Sequence, residues 1–321
     1  MDECDSLIMS VLTRPRPTPI AITRRQSVLK TLTLCLRESR LSVQIVFLLR
    51  FTVAFLMSTN SPDSAAGIPP FLAAALAWGL ATTYVYLVNG VHDAPEDQLN
   101  QNGRPISRGE LSPRSAKFVS WGLAAVALLI ATLVESSLFL VLIAAQLLCG
   151  FAYSAPGVAL KSRTSTTVLA VLLLGGLTFA AGRLSGGGTG DAWPVIVFGG
   201  ALTLWMGAVG ALVKDLSDVR GDTAAGRRTA LVLWGERRAR TVCAITPIAV
   251  ALLYLATAWL TAPILLPSAV FLLAGAIVTS RLVRATSSDE PRSRSRLPYR
   301  AFMCTQYGAG LSQLAMELFA R

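Results

Sequence analysis

The chain is poor in the residues that usually build metal centres and catalytic relays in soluble enzymes. It has one histidine, His92, and five cysteines, Cys4, Cys35, Cys149, Cys243 and Cys304, with no close pair among them. Zinc and iron–sulfur sites need several such ligands at short spacing, so neither is expected; the cysteines read as small apolar packing residues. Charge is also scarce, at 15% of 321 residues. Residues 1–40 contain no apolar core long enough for a signal peptide. They read as a basic cytoplasmic tail without fixed structure, held near anionic headgroups by residues such as Arg24 and Arg25.

What the chain has instead is apolar length. Hydrophobic residues make up 53% of it, and nine stretches of a size that crosses a bilayer fall at about 42–59, 70–91, 117–134, 137–155, 166–184, 193–213, 239–258, 262–283 and 300–319. The ninth is the least apolar, being interrupted by Gln306, Gln313 and Glu317. The expected fold is therefore all-α, a polytopic bundle of nine transmembrane helices over residues 41–321 in the lipid bilayer. A net charge of +11 invites a nucleic-acid reading, but the positions of the basic residues reject it. Of 29 Lys and Arg, 26 fall before the first span or near the ends of spans two, four, six and eight. By the positive-inside rule, that alternation puts the N-terminus in the cytoplasm and the C-terminus outside. Arginine greatly outnumbers lysine, which is compatible with a GC-rich genome; the expected location is the plasma membrane of a bacterium.

Chemistry concentrates at two span ends on the cytoplasmic side. Asn89, Asp93 and Asp97 stand four residues apart at the end of the second run, and Asp215, Asp218 and Asp222 close the sixth. Steps of three and four share one helix face. Carboxylates in two matched clusters at a membrane boundary are costly unless a hard cation binds them, and Mg2+ held by a few carboxylates together with phosphate oxygens suits the pattern. Both clusters are followed by basic loops, a spacing consistent with an internal duplication. Arg104, Lys161 and Lys214 lie close to them in sequence, while Arg40 precedes the first span, where it either snorkels or reaches a phosphate. Arg50 lies inside the first apolar run and must face a polar cavity or mark a displaced helix boundary. Paired glycines such as Gly175-Gly176 and Gly199-Gly200 read as close-packing positions.

With these residues the chain resembles the UbiA superfamily of intramembrane prenyltransferases. Asn89-x3-Asp93-x3-Asp97 is similar to the first aspartate motif of that family and Asp215-x2-Asp218-x3-Asp222 to the second. Arg104-Pro105, Tyr153-Ser154 with Lys161, and Lys214 with Gly221 and Gly226 add to the likeness. The resemblance implies a nine-helix bundle with a central cavity open to the cytoplasmic side. It also implies that Asn89, Asp93, Asp97, Asp215, Asp218 and Asp222 hold Mg2+ around an isoprenyl diphosphate, whose phosphates Asn89, Arg40, Arg104, Tyr153, Lys161 and Lys214 contact. Asp93, Asp97, Asp218 and Asp222 are the expected catalytic residues. The implied reaction is ionisation of the diphosphate and prenyl transfer to an aromatic acceptor, a quinone precursor or specialised metabolite; the Lys214–Asp222 run looks more like relatives acting on homogentisate, naphthoate or chlorophyllide. A terpene cyclase uses the same ionising motifs and is the alternative, with a non-catalytic lipid transporter more remote. Two departures from the family pattern stand out. Gly90 occupies a position that is often acidic in the family, and Pro95 lies between Asp93 and Asp97, where it should bend or end the helix.

Overall fold

All nine predicted runs coincide with helices in the computed structural model, which describes residues 27–59, 68–134, 136–188 and 190–319. Most of the expected N-terminal tail, Cys4, the loop near 60–69 apart from its last two residues, the turn at Glu135 and the terminal Arg321 lie outside the described residues. The tail ends earlier than expected. Val28–Glu38 is a helix, α1, started by Ser27, whose side chain accepts a hydrogen bond from the Lys30 amide.

Arg40 then turns the chain in a left-handed conformation (φ 57°) into α2, Leu41–Leu56, and the two helices meet at a 70° bend. The next helices are α3 (Ile68–Leu99), α4 (Pro113–Thr132), α5 (Ser137–Ser154), α6 (Thr164–Ser185) and α7 (Ala192–Asp215). A short α8 (Val219–Ala224) precedes α9 (Ala230–Thr261), α10 (Leu266–Ala285), α11 (Arg292–Ser295) and α12 (Leu297–Phe319). Serines again mark starts: Ser112 and Ser136 accept from the Ser115 and Phe139 amides, and Pro113 takes the first helical position, where its missing N–H costs nothing.

Among the described residues, seven helices are long and apolar enough to cross a membrane, and the bent α1–α2 pair, taken as one span, raises the number to eight. Length and composition thus support seven or eight crossings rather than the expected nine. The helix outside that set, α12, is polar on its inner side. Gln306 and Gln313 are buried there, accepting hydrogen bonds from Arg50 (2.8 Å) and Ser268 (3.1 Å). Buried amides need such partners in a low-dielectric interior.

The bundle has two main packing centres. One gathers Trp78, Tyr84, Phe139 and Ile143 where α3 packs on α4 and α5. The other gathers Phe198, Trp205, Tyr254 and Leu272 where α7, α9 and α10 meet. Between them, α2 packs on α6 and α12. The glycine pairs meet their expected role only in part: a methyl on Gly199 would come 2.9 Å from the Phe179 ring and one on Gly175 3.1 Å from Thr203, but Gly176 and Gly200 have open space. Within α7, residues Trp205–Gly210 form one wide π turn. Arg50 is buried beside it, donating to the Leu202 carbonyl at 3.3 Å and touching the Met206 sulfur. Its helix boundary is not displaced; the arginine is a polar cross-link between α2, α7 and α12.

Candidate active site

Both aspartate motifs lie at the same end of the bundle. Helix α3 continues through Pro95 to Leu99, so Asp93 and Asp97 sit on one helix and the expected early end does not occur. Proline here removes one amide donor, which would have reached the Val91 carbonyl, and the helix continues despite that loss. The second motif differs from expectation. Helix α7 ends at Asp215, residues 216–218 form a turn, and Asp218 directly precedes α8, which carries Asp222. Its three aspartates therefore do not share the face of one continuous helix; the turn redirects the last two toward α3.

Gly221 fixes that approach. Its amide donates to Asn100 Oδ1 at 2.8 Å, and a methyl at Gly221 would lie 2.9 Å from the Glu96 carbonyl oxygen. No larger residue fits between the two motifs without moving backbone.

Basic side chains hold the aspartates. Lys161 pairs with Asp93, and Lys214 lies 3.6 Å from Asp218. Arg104 lies 3.0 Å from Asp97 and 2.8 Å from Glu38, the latter an ion contact whose angle falls short of a hydrogen bond. Sequence reasoning missed the residue that joins the motifs, Arg227. It contacts Asp93 (2.8 Å), Asp222 (3.3 Å) and Glu96, and the left-handed Gly226 (φ 66°) turns the chain to deliver it. Also missed were Arg292 and Arg296, which reach Asp218 at 2.8 and 3.4 Å, and Asn102, which donates to Asp97. These lie beyond helix-period spacing of either motif, so no pattern marked them; only Arg227 had a signal, the glycine before it.

Glu38 explains Gly90. The carboxylate of Glu38 occupies the space a side chain at position 90 would need, and Arg104 Nη2 would lie 2.6 Å from such a methyl. Glu38 also accepts from the Ile106 amide at 2.9 Å. An acid from α1 thus stands where the position after Asn89 supplies none.

Charge balance sets protonation. Burial alone would raise the Asp218 carboxyl, but Lys214, Arg296 and Arg292 outweigh it and hold the group at about 2. Burial, followed by the neighbouring Asp218 and Asp93, raises Asp222 against the pull of Lys214 and Arg227. Burial works against charge on Arg227, but Asp93, Glu96 and Asp222 together keep it firmly protonated.

Asn89, Tyr153, Lys214, Asp215 and Arg40 ring the polar end of a cavity that continues into the bundle along Val46, Phe47, Leu174 and Phe302. Among the described residues, no three carboxylate, histidine or cysteine side chains converge as a ready-made cation site. The donor set nonetheless fits a magnesium ion, which takes one or two carboxylates and completes its octahedron with phosphate and water. Asp222 Oδ2 is buried without a hydrogen-bond partner, and Asp215 has no ion pair among the described residues.

A model of the UbiA prenyltransferase family matches residues 47–304. The chain belongs to the UbiA prenyltransferase family. It is an integral membrane protein of that family, built on apolar helices. The UbiA homologue of Archaeoglobus fulgidus solved with GPP and Mg2+ shares its fold, with a TM-score of 0.68 at 20% identity over 89% of this chain and 99% of that one. Digeranylgeranylglyceryl phosphate synthase of Natronomonas pharaonis is 35% identical over 171 residues, which are 53% of this chain and 59% of the relative. The synthase of the same name from Halobacterium salinarum is 36% identical over 183 residues, 56% of this chain and 63% of the relative. The match therefore spans less than two thirds of each of these two relatives. Their names denote a lipid phosphate product, so they give no support to the aromatic acceptor expected from the motifs. Both organisms are archaea, which likewise leaves the expected bacterial source unsupported.

Proposed function

We propose that this chain is a Mg2+-dependent prenyltransferase that moves an isoprenyl group from its diphosphate to the hydroxyl of a glyceryl phosphate lipid. The observation that carries the reading is the convergence of Asp93, Asp97, Asp218 and Asp222 at one end of the bundle, with cationic partners on every one of them, next to a cavity that Asn89, Lys214 and Asp215 line. The acceptor class draws its support from the names of the archaeal relatives.

Asn89, Asp93, Asp97, Asp215, Asp218 and Asp222 are the residues that would hold magnesium. When bound, the metal supplies Lewis-acid stabilisation to the departing diphosphate. Lys161, Lys214 and Arg227, already directed at the aspartates, then exchange part of their carboxylate contact for phosphate oxygens, which keeps charge balanced in a site shielded from water. The bond between the allylic carbon and the diphosphate oxygen breaks, and both electrons leave with the diphosphate. Val46, Phe47, Leu174 and Phe302 bound the space for the isoprenyl chain and keep water from the cation. The acceptor hydroxyl oxygen forms the new C–O bond, and its proton passes to a carboxylate oxygen of Asp215, which has no ion pair among the described residues. On the same reading, the basic loop ends and both motifs face the cytoplasm.

The test uses the full chain in membranes with Mg2+, radiolabelled geranylgeranyl diphosphate and a geranylgeranylglyceryl phosphate acceptor. A diether phosphate should form, stop on chelation and return with Mg2+. Asp93→Ala and Asp218→Ala should each abolish it while membrane insertion persists. Product formed in excess chelator, or by both variants, would overturn the assignment. A cyclic hydrocarbon formed without acceptor would establish the cyclase instead.

A further inference from the structure

Beside Asp97 and Asp218 lies a second pocket lined by Arg40, Arg104, Arg292, Arg296 and Arg300 together with Asn102 and Ser293. Five guanidinium groups here face three carboxylates: Glu38 and Asp97 on Arg104, and Asp218 on Arg292 and Arg296. Two positive charges are left over. Arg40 and Arg300 are the ones without an ion pair or side-chain hydrogen bond among the described residues. Arg296 is further held by the ring of Tyr299, 4.5 Å from its guanidinium carbon. Arg40 reaches this place from a left-handed backbone position that a side chain other than glycine rarely adopts. Backbone strain of that kind persists where surrounding structure requires it.

We propose that this pocket binds the phosphate monoester of the acceptor. A phosphomonoester carries close to two negative charges near neutral pH and three strong acceptor oxygens, which matches the two uncompensated arginines in charge and in donor supply. The position matches as well. Arg40 lines both this pocket and the apolar cavity, so a lipid with its phosphate on Arg40 and Arg300 holds its glyceryl hydroxyl at the shared boundary, beside the aspartates. On the transferase reading Lys161, Lys214 and Arg227 serve the donor diphosphate, and Arg40, which the family resemblance assigned to the donor, is reassigned here to the acceptor. The inference rests on the transferase reading above and adds to it that the phosphate of the acceptor, rather than its prenyl chain alone, is recognised.

Arg300→Gln tests it, because Arg300 is exposed and touches none of the aspartates. Loss of one charge-assisted contact should raise the KM for geranylgeranylglyceryl phosphate roughly tenfold, while the KM for geranylgeranyl diphosphate and the melting midpoint stay unchanged. Dephosphorylated geranylgeranylglycerol should be a poor acceptor for the native chain, and Arg300→Gln should not make it poorer. Equal use of both acceptors, or no effect of Arg300→Gln, would overturn the phosphate site and leave the transferase reading intact. If the effect of Arg300→Gln follows the phosphatidylglycerol content of nanodiscs rather than the acceptor phosphate, the pocket holds a bulk lipid headgroup and the inference fails. Calorimetric titration of the phosphorylated acceptor separates the remaining case. Tight binding that Arg300→Gln weakens, without turnover, would keep the site and refute the transferase; absence of binding would refute the site.

Discussion

Gly90 and Glu38 form a coupled pair whose energetics can be worked from their positions. Glu38 is fully buried, 2.8 Å from Arg104 Nε, and accepts from the Ile106 amide at 2.9 Å. Glu38→Ala leaves a buried guanidinium with Asp97 as its remaining carboxylate partner and leaves the Ile106 N–H without its acceptor. Breaking one side of a buried ion pair costs about 3–5 kcal/mol, and the persistence of Asp97 places this case at the lower end. In Gly90→Ala the added methyl lies 2.6 Å from Arg104 Nη2 and 3.0 Å from the Glu38 carboxyl carbon, so the pair must shift. Overpacking of this kind costs about 1–3 kcal/mol, partly offset by roughly 0.5–1 kcal/mol from replacing a helical glycine. Once Glu38 is gone its carboxyl contacts go with it, and the contact that remains, Arg104 Nη2, is the end of a flexible side chain that can give way, so Gly90→Ala should stabilise slightly, by at most that helix term. The two substitutions are then non-additive by about 1–3 kcal/mol. Thermal unfolding of the four proteins in nanodiscs gives the cycle. Gly90→Ala should lower the midpoint by several degrees in the native chain and raise it slightly in Glu38→Ala. Equal shifts in both backgrounds would refute the claim that the Glu38 carboxylate fills the position. Glu38→Ala/Gly90→Asp should recover part of the activity lost in Glu38→Ala, since it returns a carboxylate to Arg104.

Arg227→Gln should reduce kcat by about 100-fold or more, because it removes the cation common to both motifs, with a smaller change in unfolding midpoint. Steady-state kinetics at saturating donor would show it, and near-native kcat would remove Arg227 from the site. Arg50→Leu leaves the buried Gln306 amide oxygen without its 2.8 Å donor and should destabilise by about 1–3 kcal/mol with kcat retained, while Arg50→Leu/Gln306→Leu should recover the midpoint. A selective loss of kcat in Arg50→Leu would instead make Arg50 part of the chemistry.

Hydrophobic run length located all nine helical segments, because a bilayer leaves the chain few ways to satisfy its backbone except within helices. Four-residue steps at Asn89, Asp93 and Asp97 showed one motif face, and the bias of arginine and lysine toward alternate span ends separated a membrane reading from a nucleic-acid one. Those are local or one-dimensional properties, which the sequence determines by itself. Tertiary structure decided what depends on residues far apart in the chain. It broke the second motif at 216–218, brought Arg227 between Asp93 and Asp222, and set Glu38 into the space beside Gly90. It also gathered Arg40, Arg104, Arg292, Arg296 and Arg300 around one pocket. Ion pairs act over a few ångströms with no sequence period, so their partners become visible only when folding has placed the charges side by side.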